Sequence, residues 1–123
     1  MKLLLSNDDG VFASGIRVLA ETLSKTHEIY VSAPDAERSG VSRSMTLFEP
    51  LRAKPTKIEG LPEIPAYAVS GTPVDCVRLA LGNLFPAPDL VVSGINLGPN
   101  LGTDVLYSGT VAAAHEAALL GYQ

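Results

Sequence analysis

The stretch Asn7-Asp8-Asp9-Gly10 sets two carboxylates side by side directly after the apolar run Leu3-Leu4-Leu5. Like charges in contact repel, so the pair is either solvated in a turn or shares a cation. Far along the chain, Ser93-Gly94-Ile95-Asn96-Leu97-Gly98-Pro99-Asn100-Leu101-Gly102-Thr103-Asp104 supplies glycines that let backbone approach a ligand, with two asparagine amides among them. This loop runs through Tyr107-Ser108-Gly109-Thr110 into a helix start, where hydroxyls and free backbone N–H groups suit phosphate. Carboxylates, an asparagine carbonyl and hydroxyls are hard oxygen donors, which suit Mg²⁺ or Mn²⁺; zinc would draw on His or Cys. Two readings of the first turn stand on these residues: a metal-dependent phosphate enzyme, or an ordinary Asn/Asp/Gly turn between a strand and a helix. The second loop is neither a Walker loop, since no Gly-Lys-Ser/Thr follows, nor a GxGxxG dinucleotide turn.

The surrounding elements decide whether the two loops can meet. Lys2–Ser6 reads as a strand buried on both faces. Ile16, Leu19, Ala20 and Leu23 recur at helical spacing behind a cap at Ser14, and Glu28–Ala33 is a second strand closed by Pro34. Prolines 50, 55, 62 and 65 break up an exposed excursion at about 35–70, within which Ser44–Phe48 and Ala66–Val69 read as strands. Thr72-Pro73 opens a helix with Asp75 in its first turn and Val74, Val77, Leu81 and Leu84 on one face. Asp89–Ser93 is a further strand, and Ser108–Leu120 a helix ended by Gly121. Alternating strands and helices predict an α/β, Rossmann-like, doubly wound and mostly parallel sheet formed by a single domain over residues 1–123. Ligands of such sheets sit beyond the strand carboxyl ends where strand order reverses, so the loops after Ser6 and Ser93 are expected to face each other.

Composition bounds the function without naming it. Apolar residues make up 46% and charged ones 18%, a globular rather than disordered mix. The net charge of −4 argues against a nucleic-acid polymer as partner. Within 38–57, however, Arg38, Arg43, Arg52, Lys54 and Lys57 face one acid, Glu49, which reads either as a solvated basic loop or as a rim that attracts anions. No apolar run is long enough for a membrane span, no leader pattern is expected at Lys2–Leu5, and the single Cys76 fits a reducing cytoplasm. His115, four residues after Val111, is expected to be packed against the core; His27 is expected in an exposed helix-to-strand connection, and Cys76 in the core. Tyr107 suits either stacking on a base or packing its own loop.

Five stretches now stand in order: Ser6-Asn7-Asp8-Asp9-Gly10; Ala33-Pro34-Asp35 with Arg38-Ser39-Gly40; Gly71-Thr72-Pro73-Val74-Asp75-Cys76-Val77; Ser93 to Asn100; and Tyr107-Ser108-Gly109-Thr110-Val111. Together they resemble the SurE family of survival proteins, metal-dependent 5′/3′-nucleotidases. The resemblance implies one divalent ion, Mg²⁺ or Mn²⁺, at Asp8, Asp9, Ser39 and Asn96. It further implies nucleoside monophosphates as substrates, with polyphosphate a substrate of some members. Four protein oxygens around an ion of about six-fold coordination leave room for water and a phosphate oxygen. Asn96, Asn100, Ser108, Gly109 and Thr110 are then expected to hold the remaining phosphate oxygens, with Arg38 and Arg43 steering the anion.

Asp8 and Asp9 are the expected catalytic acids. Direct attack by water oriented through Asp8 is favoured over an aspartyl-phosphate route, because the metal engages both acids. A second reading is a non-catalytic nucleotide- or partner-binding remnant, against which the retained carboxylate pair weighs. The family continues past Gln123 with another core strand and a region that builds oligomers. The chain is therefore expected to be truncated at its C-terminus, with a homodimer or tetramer the expectation for the full-length family.

Overall fold

Both faces of strand β1 (Lys2–Ser6) are covered, which explains its unbroken run of leucines. In the computed structural model, which describes residues 1–123, Leu3 and Leu5 pack with Ile16 and Ala20 of helix α1 (Ser14–Leu23) on one face. Leu4 packs on the other face with Val77, Ala113 and Ala117. Val77 belongs to helix α2 (Pro73–Leu79), which continues into a π turn at Ala80–Leu84, and the two alanines belong to helix α3 (Gly109–Leu119). Truncating a fully buried leucine such as Leu4 to alanine costs about 2–5 kcal/mol, so either layer alone is indispensable.

The strands are β1, β2 (Glu28–Pro34), β3 (Ala53–Ile58), β4 (Leu61–Val69) and β5 (Leu90–Ser93), arranged β3-β4-β2-β1-β5. β1 is parallel to both neighbours, with Leu4 opposite Tyr30 on one side and Val91 on the other. β2 and β4 are parallel, whereas β3 joins β4 antiparallel at the edge. The chain builds outward from β1 through β2 to β4 and then returns to place β5 on the far side of β1. Strand order therefore reverses at β1 and β5, whose carboxyl ends open the crevice such sheets use. This is the doubly wound, mostly parallel architecture expected from the sequence.

Several expectations are corrected. Ser44–Phe48 is not a strand but part of an irregular loop. The second pair of strands is instead the β3–β4 hairpin, which the prolines concealed: Pro55 lies on an edge strand, and Pro62 and Pro65 precede the Ala66–Val69 segment that pairs with β2. Ser14 is the first residue of α1 rather than its cap; Ala13 holds the cap position without a side-chain hydrogen bond. His115 is exposed, because the buried stripe of α3 runs through Ala112, Ala113, Glu116 and Ala117. His27, between α1 and β2, is half-buried rather than exposed; Cys76 is fully buried, as expected.

Candidate active site

The turn after β1 is built by Asn7. Its side-chain amide donates to the Gly10 carbonyl at 2.9 Å and its side-chain oxygen accepts from the Gly10 N–H at 3.1 Å. Gly10, at φ 106°, lets the chain reverse, and the Val11 N–H then donates to the Pro34 carbonyl at 2.8 Å. This clamp projects Asp8 and Asp9 toward the end of β5.

Each carboxylate is anchored through one oxygen. Asp8 Oδ1 accepts from the Thr110 hydroxyl at 2.7 Å, and Asp9 Oδ2 accepts from the Leu97 N–H at 2.9 Å. The other oxygen of each has no protein donor. Asp8 is only 5% exposed, yet neither acid has a cationic partner: the two ion pairs of the molecule join Arg38 to Asp35 and Arg78 to Glu116. A buried unpaired carboxylate beside a second one is costly unless a cation compensates it.

Around these acids lies a cleft of about 240 Å³. Asn96, Asn100 and Ser108 line it, as does Ser39, whose hydroxyl donates to Glu37 Oε1 at 2.6 Å. The Thr110 hydroxyl also lies 3.4 Å from Asn96 Oδ1, tying the two loops to one side chain. Ser108 caps α3 by accepting from the Val111 N–H at 3.2 Å. Gly109 is required for the close approach of that helix start, because a Cβ there would stand 2.8 Å from Asp8 Cβ and 3.3 Å from Asp8 Oδ2. The Ser39 loop hangs on the same turn, through the Arg38 N–H donated to the Asp8 carbonyl at 2.7 Å.

The structure thus brings Asp8, Asp9, Ser39, Asn96, Asn100 and Ser108 to one cleft, with Gly109 and Thr110 directly behind Asp8. Neither Arg38 nor Arg43 lines it. Arg38 is turned to Asp35 at 3.3 Å, Arg43 is exposed elsewhere, and Lys54 and Lys57 lie on the β3 edge strand. Lysines on an edge guard it against pairing with another chain. Two lining acids, Glu37 and Asp104, were not singled out from the sequence, where no local pattern distinguishes them from solvated charges.

The cleft is therefore lined by four carboxylates and no Lys or Arg. No three His, Cys, Asp or Glu residues cluster as a metal-binding group, so any ion here would draw on two carboxylates and neutral oxygens. That donor set fits a hard divalent cation.

Fold and cleft define the class: a doubly wound α/β protein with an acidic, oxygen-rich crevice at its switch point. The family model described as "Survival protein SurE" matches residues 3–123, and the chain belongs to that family. It is 58% identical over 123 residues to a "5'-nucleotidase SurE" of Thermosynechococcus vestitus, covering 98% of this chain and 46% of the relative. A "5'-nucleotidase SurE 1" of Thermus thermophilus is 54% identical over 121 residues, covering 98% and 48%. The crystal structure of the SurE protein from Aquifex aeolicus superposes with a TM-score of 0.87 at 44% identity, over 99% of this chain and 48% of that one. The chain spans about half the length of these relatives.

Proposed function

We propose that the cleft hydrolyses nucleoside 5′- and 3′-monophosphates to nucleoside and phosphate with the help of one divalent ion, Mg²⁺ or Mn²⁺. The observation that carries this reading is the charge of the cleft. A phosphate dianion meets four carboxylates and no basic side chain there, so its entry requires a bound cation. Asp8 and Asp9 together match a 2+ charge, and Ser39 and Asn96 add neutral oxygens.

The bound ion would polarise the phosphoryl group and lower the pKa of water. The chain's own groups do the rest. Asp8 orients the attacking water and takes its proton, Asn100, Ser108 and the α3 start hold phosphate oxygens, and Asn96 spans ion and substrate. The water oxygen forms the new P–O bond, the ester P–O bond breaks, and the departing alkoxide takes up the proton that Asp8 removed from the water, giving the free alcohol. Short polyphosphate shares this phosphoryl chemistry and is the second substrate class to test. Catalysis in the cytoplasm agrees with the lone, buried Cys76, and a dimer or tetramer is the proposed state of the longer protein. No helix is long and apolar enough to cross a membrane.

The test is phosphate release from AMP and GMP with Mn²⁺ or Mg²⁺, before and after EDTA, for the wild type and Asp8→Asn. Release that needs the metal and falls about 10³-fold or more in the variant is expected. Metal-independent release or an unaffected variant overturns the reading, and trapping of an acid-stable phospho-aspartate overturns the water route. Because the chain spans half the length of its relatives, a second reading is a module that binds nucleotide without turnover. Tight Mn²⁺-dependent AMP binding with no phosphate release would select it.

A further inference from the structure

Val11 and Phe12, directly after the turn that carries Asp8 and Asp9, line a second recess of about 220 Å³. Arg17 of α1, Lys57 and Ile58 at the end of β3, and Glu59 just beyond it complete the lining, and none of these residues lines the acidic cleft. The two sites differ in sign. The cleft has four carboxylates and no basic side chain, whereas this recess has two cations and one carboxylate. Neither Arg17 nor Lys57 is paired with an acid, Glu59 included, since both ion pairs of the molecule lie elsewhere.

Each of the three groups that would meet a ligand is placed at some cost. The β3–β4 register breaks between Thr56 and Ile58, so Lys57 stands at an irregularity of the kind that re-aims a side chain. Arg17 is the fourth residue of α1, whose first turn holds no acid. A cation there opposes the helix dipole, and an anion bound beside it would relieve the conflict. Phe12 is 68% exposed, next to the fully buried Val11 and the nearly buried Ile58. A flat ring laid on Phe12 would take apolar surface out of water.

We infer that this recess is an anion site separate from the reacting cleft, and that it takes a small organic phosphate bearing a flat ring. The phosphoryl group sits between Arg17 and Lys57, and the ring lies on Phe12. The size agrees. Pockets that enclose whole small molecules run about 300–1,000 Å³, so a 220 Å³ recess holds the anionic head and leaves the ring outside, at the exposed phenyl group. Glu59 supplies an acceptor for a hydroxyl of the ligand. With one carboxylate in place of the adjacent acid pair, the recess binds without turnover. The inference does not depend on hydrolysis in the cleft.

The sign difference makes the site testable on the full chain. With EDTA present the cleft repels phosphate, so AMP bound in equilibrium dialysis reports the recess alone. Binding is expected at about 1 mM AMP, and added NaCl should weaken it. Arg17→Gln and Lys57→Gln should each weaken it about tenfold while leaving Mn²⁺-dependent phosphate release at the wild-type rate. Phe12→Ala should weaken AMP about tenfold and leave inorganic phosphate unchanged. No AMP bound in EDTA, binding that survives both cation variants, or AMP held no more tightly than inorganic phosphate overturns the inference. Wild-type binding in EDTA that is lost in Arg17→Gln and Lys57→Gln supports it, whether or not the chain releases phosphate with metal.

Discussion

The hydroxyl of Thr110 donates to Asp8 Oδ1 at 2.7 Å, joining the first turn of α3 to the end of β1. It is the one side-chain donor that orients the buried Asp8 carboxylate. Thr110→Val keeps the shape of the side chain and removes the donor. It is expected to lower stability by about 1–3 kcal/mol, the cost of leaving a buried acceptor unsatisfied. Mn²⁺ affinity should fall with it, because Asp8 then turns freely. Chemical denaturation and Mn²⁺ titration by electron paramagnetic resonance measure the two effects separately.

Asp75 is the second acid held without a cation. It is 2% exposed and accepts from the Thr46 N–H at 3.0 Å, the Thr46 hydroxyl at 2.7 Å and the Thr72 N–H at 2.9 Å. It therefore closes the capping box of α2 and ties down the loop that carries Ser39. Asp75→Ala removes both functions and is expected to cost about 2–4 kcal/mol. Thr46→Val spares the cap and should cost less, while still raising protease cleavage within 38–48. Equal losses from the two variants would contradict the anchoring role.

Gly15→Ala is expected to be among the most damaging single substitutions in α1, although alanine favours helices. The added Cβ would meet the Ile95 carbonyl at 2.0 Å, and backbone on both sides leaves no flexible atom to yield. A loss of about 1–3 kcal/mol or more follows from such overpacking. A melting temperature equal to the wild type's would show that the β5 loop moves aside readily.

Burial holds the Cys76 thiol well above its ordinary 9.0, and the charges of Asp75 and Asp35 push in the same direction. The folded protein therefore keeps the proton to higher pH than the unfolded chain does. Stability from this group is complete below pH 9.0 and declines as the pH rises above that value. Denaturation midpoints between pH 8 and 10.5 should show this slope, and Cys76→Ala should reduce it. A disulfide-exchange reagent should label the thiol only as the chain unfolds.

The β1–α1–β2 unit, the α2 start and the two crevice loops were legible because each depends on local chemistry: a two-sided apolar run, a Thr-Pro cap, clustered glycines. What was hidden depends on partners. Pro55 reads as a breaker until β3 proves to be an edge strand, where an absent N–H costs nothing, and Pro62 and Pro65 until the pairing of β4 with β2 proves to begin only at Ala66. Val111 and His115 share helical spacing, but only the packing of α3 on β5 and α2 reveals that Ala113 and Ala117 take the core positions. Glu37 and Asp104 resemble any surface acids until the loops fold around Asp8 and Asp9. The basic run at 38–57 misled as a possible rim, since charge in a sequence does not say which way an edge strand faces.

The order of synthesis bears on β1. Within this segment β1 is made well before its second neighbour, β5, which begins only at Leu90, and before the donor for Asp8, Thr110. Contacts so distant along the chain form late and slow the search for the native state. Until those residues are made, three leucines and two adjacent acids wait with one side of their strand open. The crevice is therefore completed only once Thr110 has joined Asp8.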